Sequence, residues 1–132
     1  MIILLDTHIL LWWVMNHPDL RAPYRQTLKA IEKESGSVAI SQISFWEIAK
    51  LVEKKRHELN LSIDDWFSQL EEDSFYQILP LTTKIILDST RLGSKFNNDP
   101  ADQIIAATAR CHGLKLMTQD KHIRKSGVVA LV

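Results

Sequence analysis

A chain of 132 residues, 45% of them apolar and 24% charged, is expected to form one globular domain over residues 1–132 and to bury about two thirds of its unfolded surface. Its 16 basic and 16 acidic side chains cancel, so bulk charge does not single out a nucleic-acid binder. The lone cysteine, Cys111, rules out an intrachain disulfide and suits a reducing cytoplasm, and Asp6, Thr7 and His8 cut the apolar N-terminal run too short for a signal peptide or a membrane span.

Residues 2–5 form an apolar run suited to a buried strand. A helix is expected from His8 to Met15, with Pro18 breaking the pattern, and a second from Tyr24 to Glu34, closed by Ser35 and Gly36. Residues 37–40 read as the second strand. Ser44 and Glu47 then have the spacing of a capping box, with Ile43 and Ile48 as its hydrophobic staple, and that helix runs to about Lys54-Lys55-Arg56. Ser62 is expected to cap a helix carrying Ile63, Trp66, Phe67 and Leu70 on one face. Residues 76–79 look like a third strand, ended by Pro80, and Thr82 or Thr83 starts a helix to about Leu92, closed by Gly93.

The stretch "NDPADQII" opens the next helix, 100–112, with Pro100 at the first helical position and Gly113 at its end. Residues 114–117 form a fourth strand. Lys121 to Lys125 reads first as a solvated turn and second as a phosphate-attracting rim. Residues 128–131 are a candidate fifth strand. Charge is unevenly spread: residues 62–75 carry five acids and no Lys or Arg, whereas 103–132 carry five Lys or Arg against Asp120 alone.

Apolar strands alternating with helices imply an α/β fold, a parallel sheet of four to five strands with helices on both faces. Ligands in such folds bind at the carboxyl ends of the strands. Asp6 and Asp120 lie just past strand ends, and Glu47 and Asp102 in the first turns of helices that follow loops on the same side. Singly, each acid is explained by capping, a stabilising role of about 1 kcal/mol. Together they repel, so protons or a cation must neutralise them, and an all-oxygen set suits Mg²⁺ or Mn²⁺. Helical phase puts Asp102 with Ile105, Ala106 and Ala109 on an inward stripe, and Gln103, Ala107 and Arg110 on the wetter face. Asp99 is adequately explained as a cap.

Other chemistries fit poorly. The five histidines have no metal-ligand spacing, and there is neither a glycine-rich phosphate loop nor a Gly-x-Ser-x-Gly elbow. His at position 8 breaks the Asp-x-Asp of phosphatases, and the paired acids of receiver domains are missing. Trp12, Trp13, Trp46 and Trp66 are core residues by default, with any exposed member available to a partner.

The segments "LLDTHILLWW", "AISQISFWEIAKL", "NDPADQIIAATAR" and "GLKLMTQD" together resemble, end to end, a PIN-domain ribonuclease of the VapC toxin type. On that resemblance Asp6, Glu47, Asp102 and Asp120 match the acidic quartet, Thr7, Ser44 and Thr118 the adjacent hydroxyl positions, and Asp99 an extra acid of an Asp-Pro-x-Asp subgroup. The family implies a metal-dependent endoribonuclease that cleaves RNA, forms a homodimer, and is silenced by a small antitoxin whose tail lies in a groove by the active site. Asp6 and Asp102 are then expected to bind one Mg²⁺ or Mn²⁺ directly, with Glu47 and Asp120 acting through water or a second ion. The competing reading is a non-catalytic α/β module whose acids only cap helices and whose tryptophans dock a partner.

Overall fold

Every strand-to-strand connection in the chain is long enough to hold the crossover helix that parallel pairing requires. The computed structural model, which describes residues 2–132, has β1 (Ile3–Leu5), α1 (Thr7–Val14), α2 (Ala22–Lys33), β2 (Val38–Ser41), α3 (Gln42–Glu53), α4 (Ile63–Glu72), β3 (Tyr76–Leu79), α5 (Thr83–Ser89), α6 (Pro100–His112), β4 (Lys115–Met117) and α7 (Lys121–Ser126). The four strands form one parallel sheet in the order β3-β2-β1-β4. Leu4 pairs with Ala39 on one side and with Leu116 on the other. The chain therefore builds outward from β1 to β3 and then returns to the opposite side of β1, which makes the β1/β4 boundary the switch point where such sheets open a crevice.

Side-chain alternation divides the sheet into two cores. Ile3, Leu5, Val38, Ile40 and Met117 pack with Ile9, Leu10, Leu28, Ile48 and Trp66, while Leu4, Ala39 and Leu116 pack on the other face with Ile105, Ala106, Ala109 and Ile123. Burial on both faces is why β1 and β2 read as apolar runs, whereas edge strand β3 exposes Gln77 and β4 opens on the exposed Lys115. No helix among the described residues is long and apolar enough to cross a membrane.

Several boundaries differ from the sequence reading. Ile2 is 70% exposed and β1 begins at Ile3. The capping box at Ser44 is not formed: Ser41 caps α3 by accepting from Ile43 N–H, and Ser44 lies one turn in, fully buried. α5 stops at Ser89, and Leu92 is buried from the following loop. The left-handed residue after α2 is Ser35 (φ 58°), while Gly36 lies so near Ile31 that an added Cβ would sit 2.9 Å from its Cγ2. Ala107 is buried, because α5 packs along α6 and covers the face read as wet. Residues 121–126 are a helix and not a turn, and the fifth strand reduces to one bridge between Leu116 and Leu131.

Candidate active site

Asp6 ends β1 and caps α1. Its Oδ1 accepts from Ile9 N–H at 2.9 Å, and its own N–H donates to Met117 O at 3.2 Å, which fixes it against β4. The Thr118 hydroxyl accepts from Asp120 N–H at 3.1 Å and lies close enough to the Asp6 carboxyl to hold its pKa down against burial. Asp120 in turn caps α7 through Ile123 N–H at 2.9 Å. Thr118 is pinned from the far side by Arg124, whose Nη1 donates to Thr118 O at 3.0 Å and to the Tyr24 hydroxyl at 2.7 Å. Asp6 and Asp120 line a groove of about 320 Å³ together with His8, Trp12 and Gln119.

Ser41 starts α3 directly at the end of β2, which carries Glu47 to the same edge of the sheet. Thr7 donates its hydroxyl proton to Glu47 Oε1. That proton being spent, Ser44 is the donor in its 2.9 Å contact with Thr7 Oγ1, so the buried hydroxyls form a relay from α3 through α1 to the carboxylate. At α6, Asp99 Oδ1 accepts from Asp102 N–H at 3.0 Å. Asn97 organises this turn: its Oδ1 accepts from Asp99 N–H at 2.9 Å and its Nδ2 donates to Asp102 Oδ2 at 3.2 Å. Sequence reading passed over Asn97 and took Arg124 for a surface cation, missing its bonds to Thr118 and Tyr24. The signal for Asn97 was its place two residues before a capping Asp-Pro, where Asn side chains commonly bond the backbone two residues on; Arg124 was visible only as one cation of the 121–125 run, with nothing to tie it to Thr118.

One carboxylate oxygen each from Glu47, Asp99 and Asp102 lies within 4.8 Å of the others. Asp6 and Asp120 are outside this tight group but belong to the same electrostatic cluster. Burial raises the Asp6 carboxyl, against the Thr118 hydroxyl and the Ile9 hydrogen bond, with Asp120 adding repulsion. Burial likewise raises Glu47, against the Thr7 bond, with Asp99 and Asp6 adding to it. Asp102 is pushed up to about 7, first by burial and then by Asp99, Glu47 and Asp120. Among the described residues no Lys or Arg forms an ion pair with any of the five.

This donor set fits a hard divalent ion. Three carboxylate oxygens gathered this closely would suit a hard, oxygen-preferring divalent ion, with Glu47, Asp99 and Asp102 drawing together to hold it. Asp99 thus has a place in the group beyond capping. Glu47, Asp99, Thr7 and His8 also line a groove of about 510 Å³ with Trp46, Lys50, Leu51, Lys54 and Arg56. A third opening, about 300 Å³, is lined by Lys95, Phe96, Asn97, His122, Lys125 and Ser126, so the exposed face of α7 is a basic rim beside Asn97.

The PIN domain family model matches residues 3–128. Ribonuclease VapC22 of Mycobacterium tuberculosis (strain ATCC 25618 / H37Rv) is 32% identical over 122 residues, covering 92% of this chain and 89% of the relative. Among solved structures, VapBC2 from Rickettsia felis bound to a DNA fragment from their promoter matches with TM-score 0.73 at 20% identity, over 100% of this chain and 98% of the other. FitAcB from Neisseria gonorrhoeae matches with TM-score 0.68 at 24% identity, over 98% and 95%. These two show the shared fold. A toxin-antitoxin complex from Klebsiella pneumoniae matches with TM-score 0.66 at 25% identity, over 96% and 94%. With matching motifs, fold and near full-length coverage, the chain belongs to the PIN-domain family, in its VapC-type branch.

Proposed function

We propose that the chain is a Mg²⁺- or Mn²⁺-dependent endoribonuclease, a single domain over residues 1–132, and the toxin of a toxin–antitoxin pair. The observation that carries this is the state of Glu47 and Asp102. Capping accounts for Asp6, Asp99 and Asp120, each of which accepts a backbone N–H. It does not account for Glu47 and Asp102, whose carboxylates cap nothing, pair with no Lys or Arg among the described residues and are held at elevated pKa beside other acids. The non-catalytic reading offers no reason for that unfavourable arrangement.

In the proposed reaction Glu47, Asp99 and Asp102 hold the divalent ion, and Asp6 and Asp120 face the groove that receives the scissile phosphate. When bound, such an ion lowers the pKa of water and offsets charge on the phosphate during in-line attack. The protein's part is positioning. Thr7 and Ser44 aim Glu47, Asn97 aims Asp102, and Thr118 aims Asp6 while holding the Asp120 backbone. Asp6, nearly buried and raised in pKa, is the group suited to accept a proton from the attacking water.

The mycobacterial relative is called a ribonuclease and the structural relatives are described as VapBC or toxin-antitoxin complexes, which supports RNA as substrate and a small antitoxin as partner. Exposed Leu81, Ile86 and Leu87, on and before α5, support homodimer formation. The unpaired Cys111 supports a cytoplasmic location. The test is Mn²⁺ titration calorimetry together with cleavage-site mapping on total RNA, wild type against Asp102→Asn. One-to-one or two-to-one Mn²⁺ binding and metal-dependent cuts, both lost in the variant, are expected; full cleavage by Asp102→Asn would sink the assignment.

A further inference from the structure

Trp46 is 55% exposed although it stands one residue from Glu47 in the middle of α3. An indole left in water beside a site is a costly placement for a core residue and a useful one for a recognition surface. Lys50 and Lys54 follow it at successive four-residue steps, so the three form one ridge along the helix. Lys50 Nζ lies 5.9 Å from the Trp46 ring centroid, and Arg56 continues the ridge at the rim of the same groove. With Glu47 and Asp99 committed to the acid cluster, the charged side chains left in that groove's lining are Lys50, which also pairs with Glu53 at 3.2 Å, Lys54 and Arg56.

We propose that Trp46 is a stacking shelf for an unpaired nucleobase next to the scissile phosphate, with Lys50, Lys54 and Arg56 tracking the adjoining backbone. The inference rests on the ribonuclease reading and deepens it. A base in a duplex has no free face to offer the indole, whereas a splayed base does, and stacking of this kind tolerates any base. The three cations supply what a chain of zero net charge otherwise lacks, an electrostatic approach for a polyanion toward a cluster of acids.

The probe is a fluorescein-labelled, randomised 12-nucleotide single-stranded RNA, with the same length as a duplex for comparison. Anisotropy is read with full-length Asp102→Asn protein so that the RNA stays whole. Adding Trp46→Ala is expected to weaken single-strand binding roughly 5- to 150-fold, the range of one lost base–aromatic stack. Trp46→Phe should recover most of it, and duplex should bind more weakly than single strand. Each of Lys50→Ala, Lys54→Ala and Arg56→Ala should lower the log–log salt slope by about 0.7. Mn²⁺ affinity of the Trp46→Ala single variant should match wild type. Unchanged single-strand affinity in the Trp46→Ala protein overturns the proposal, and so does a variant that keeps RNA but releases the co-expressed antitoxin, which would make the ridge a protein dock. If wild type binds the strand through Trp46 yet cuts no RNA with Mn²⁺, the ribonuclease reading fails while the shelf stands.

Discussion

Replacing Asp102 with asparagine keeps the side-chain shape and an oxygen for Asn97 to donate to, and removes one negative charge from the acid cluster. In the metal-free protein the Asp102 carboxyl is held at about 7 against an ordinary 3.8. The folded chain therefore binds that proton more tightly than the unfolded chain, and native stability falls as pH rises from about 4 to 7. At about 1.4 kcal/mol per pH unit the interval bounds the penalty at roughly 4 kcal/mol, and partial solvent screening of a half-buried group brings it to about 2 kcal/mol. For 132 residues the unfolding entropy is about 0.28 kcal/mol/K, so Asp102→Asn should raise Tm by about 7 °C at pH 8 in chelator and by almost nothing at pH 4. A shallower pH slope should remain in the variant, because Asp6 and Glu47 are also raised. With Mn²⁺ present the order should reverse at pH 8, since only wild type gains binding energy. Differential scanning calorimetry at both pH values, with chelator and with Mn²⁺, reads all four conditions. A variant less stable than wild type at pH 8 in chelator would refute the account of a mutually repelling carboxylate cluster.

Asp99 separates capping from ligation by a pair of substitutions. Asp99→Asn keeps the acceptor for Asp102 N–H and should leave urea stability nearly unchanged while weakening Mn²⁺ at least tenfold; Asp99→Ala should lose about 1 kcal/mol as well. Equal Mn²⁺ affinity in Asp99→Asn and wild type, by calorimetry, would return Asp99 to capping alone. Thr7→Val removes the donor to Glu47 and leaves the fully buried Ser44 hydroxyl without its partner, so urea unfolding should show a loss of about 1–3 kcal/mol and kcat should fall more than KM rises. Ile40→Ala, in the centre of the sheet and fully buried, should cost about 2–5 kcal/mol in urea without altering Mn²⁺ binding once folded.

The sheet was legible because β1 and β2 are buried on both faces and every strand ends abruptly, at a polar residue or, for β3, at Pro80. The acids were legible because those stops and the helix starts coincide. Register within the starts was not. Ser41 and Ser44 stand three residues apart, both with the chemistry of a cap, and only the length of β2 decides that Ser41 takes the role and Ser44 turns inward to Thr7. α7 escaped notice because six residues carrying three cations and one buried isoleucine have no visible period; its start is set by Asp120 and its place by burial of Ile123. Helical phase identified the inward face of α6 at Asp102 and failed at Ala107, because phase registers one apolar stripe and α6 is covered on two sides, by the sheet and by α5.

Asp6, Asp99 and Asp120 each hold a helix start with Oδ1, so the cap engages only one of the two carboxylate oxygens. Asparagine serves as well as aspartate in the first duty and poorly in the second. Aspartate and asparagine codons differ by a single base. One base change at any of these three positions, as at Asp102, therefore separates metal binding from folding and leaves a chain that still presents its surface to a partner.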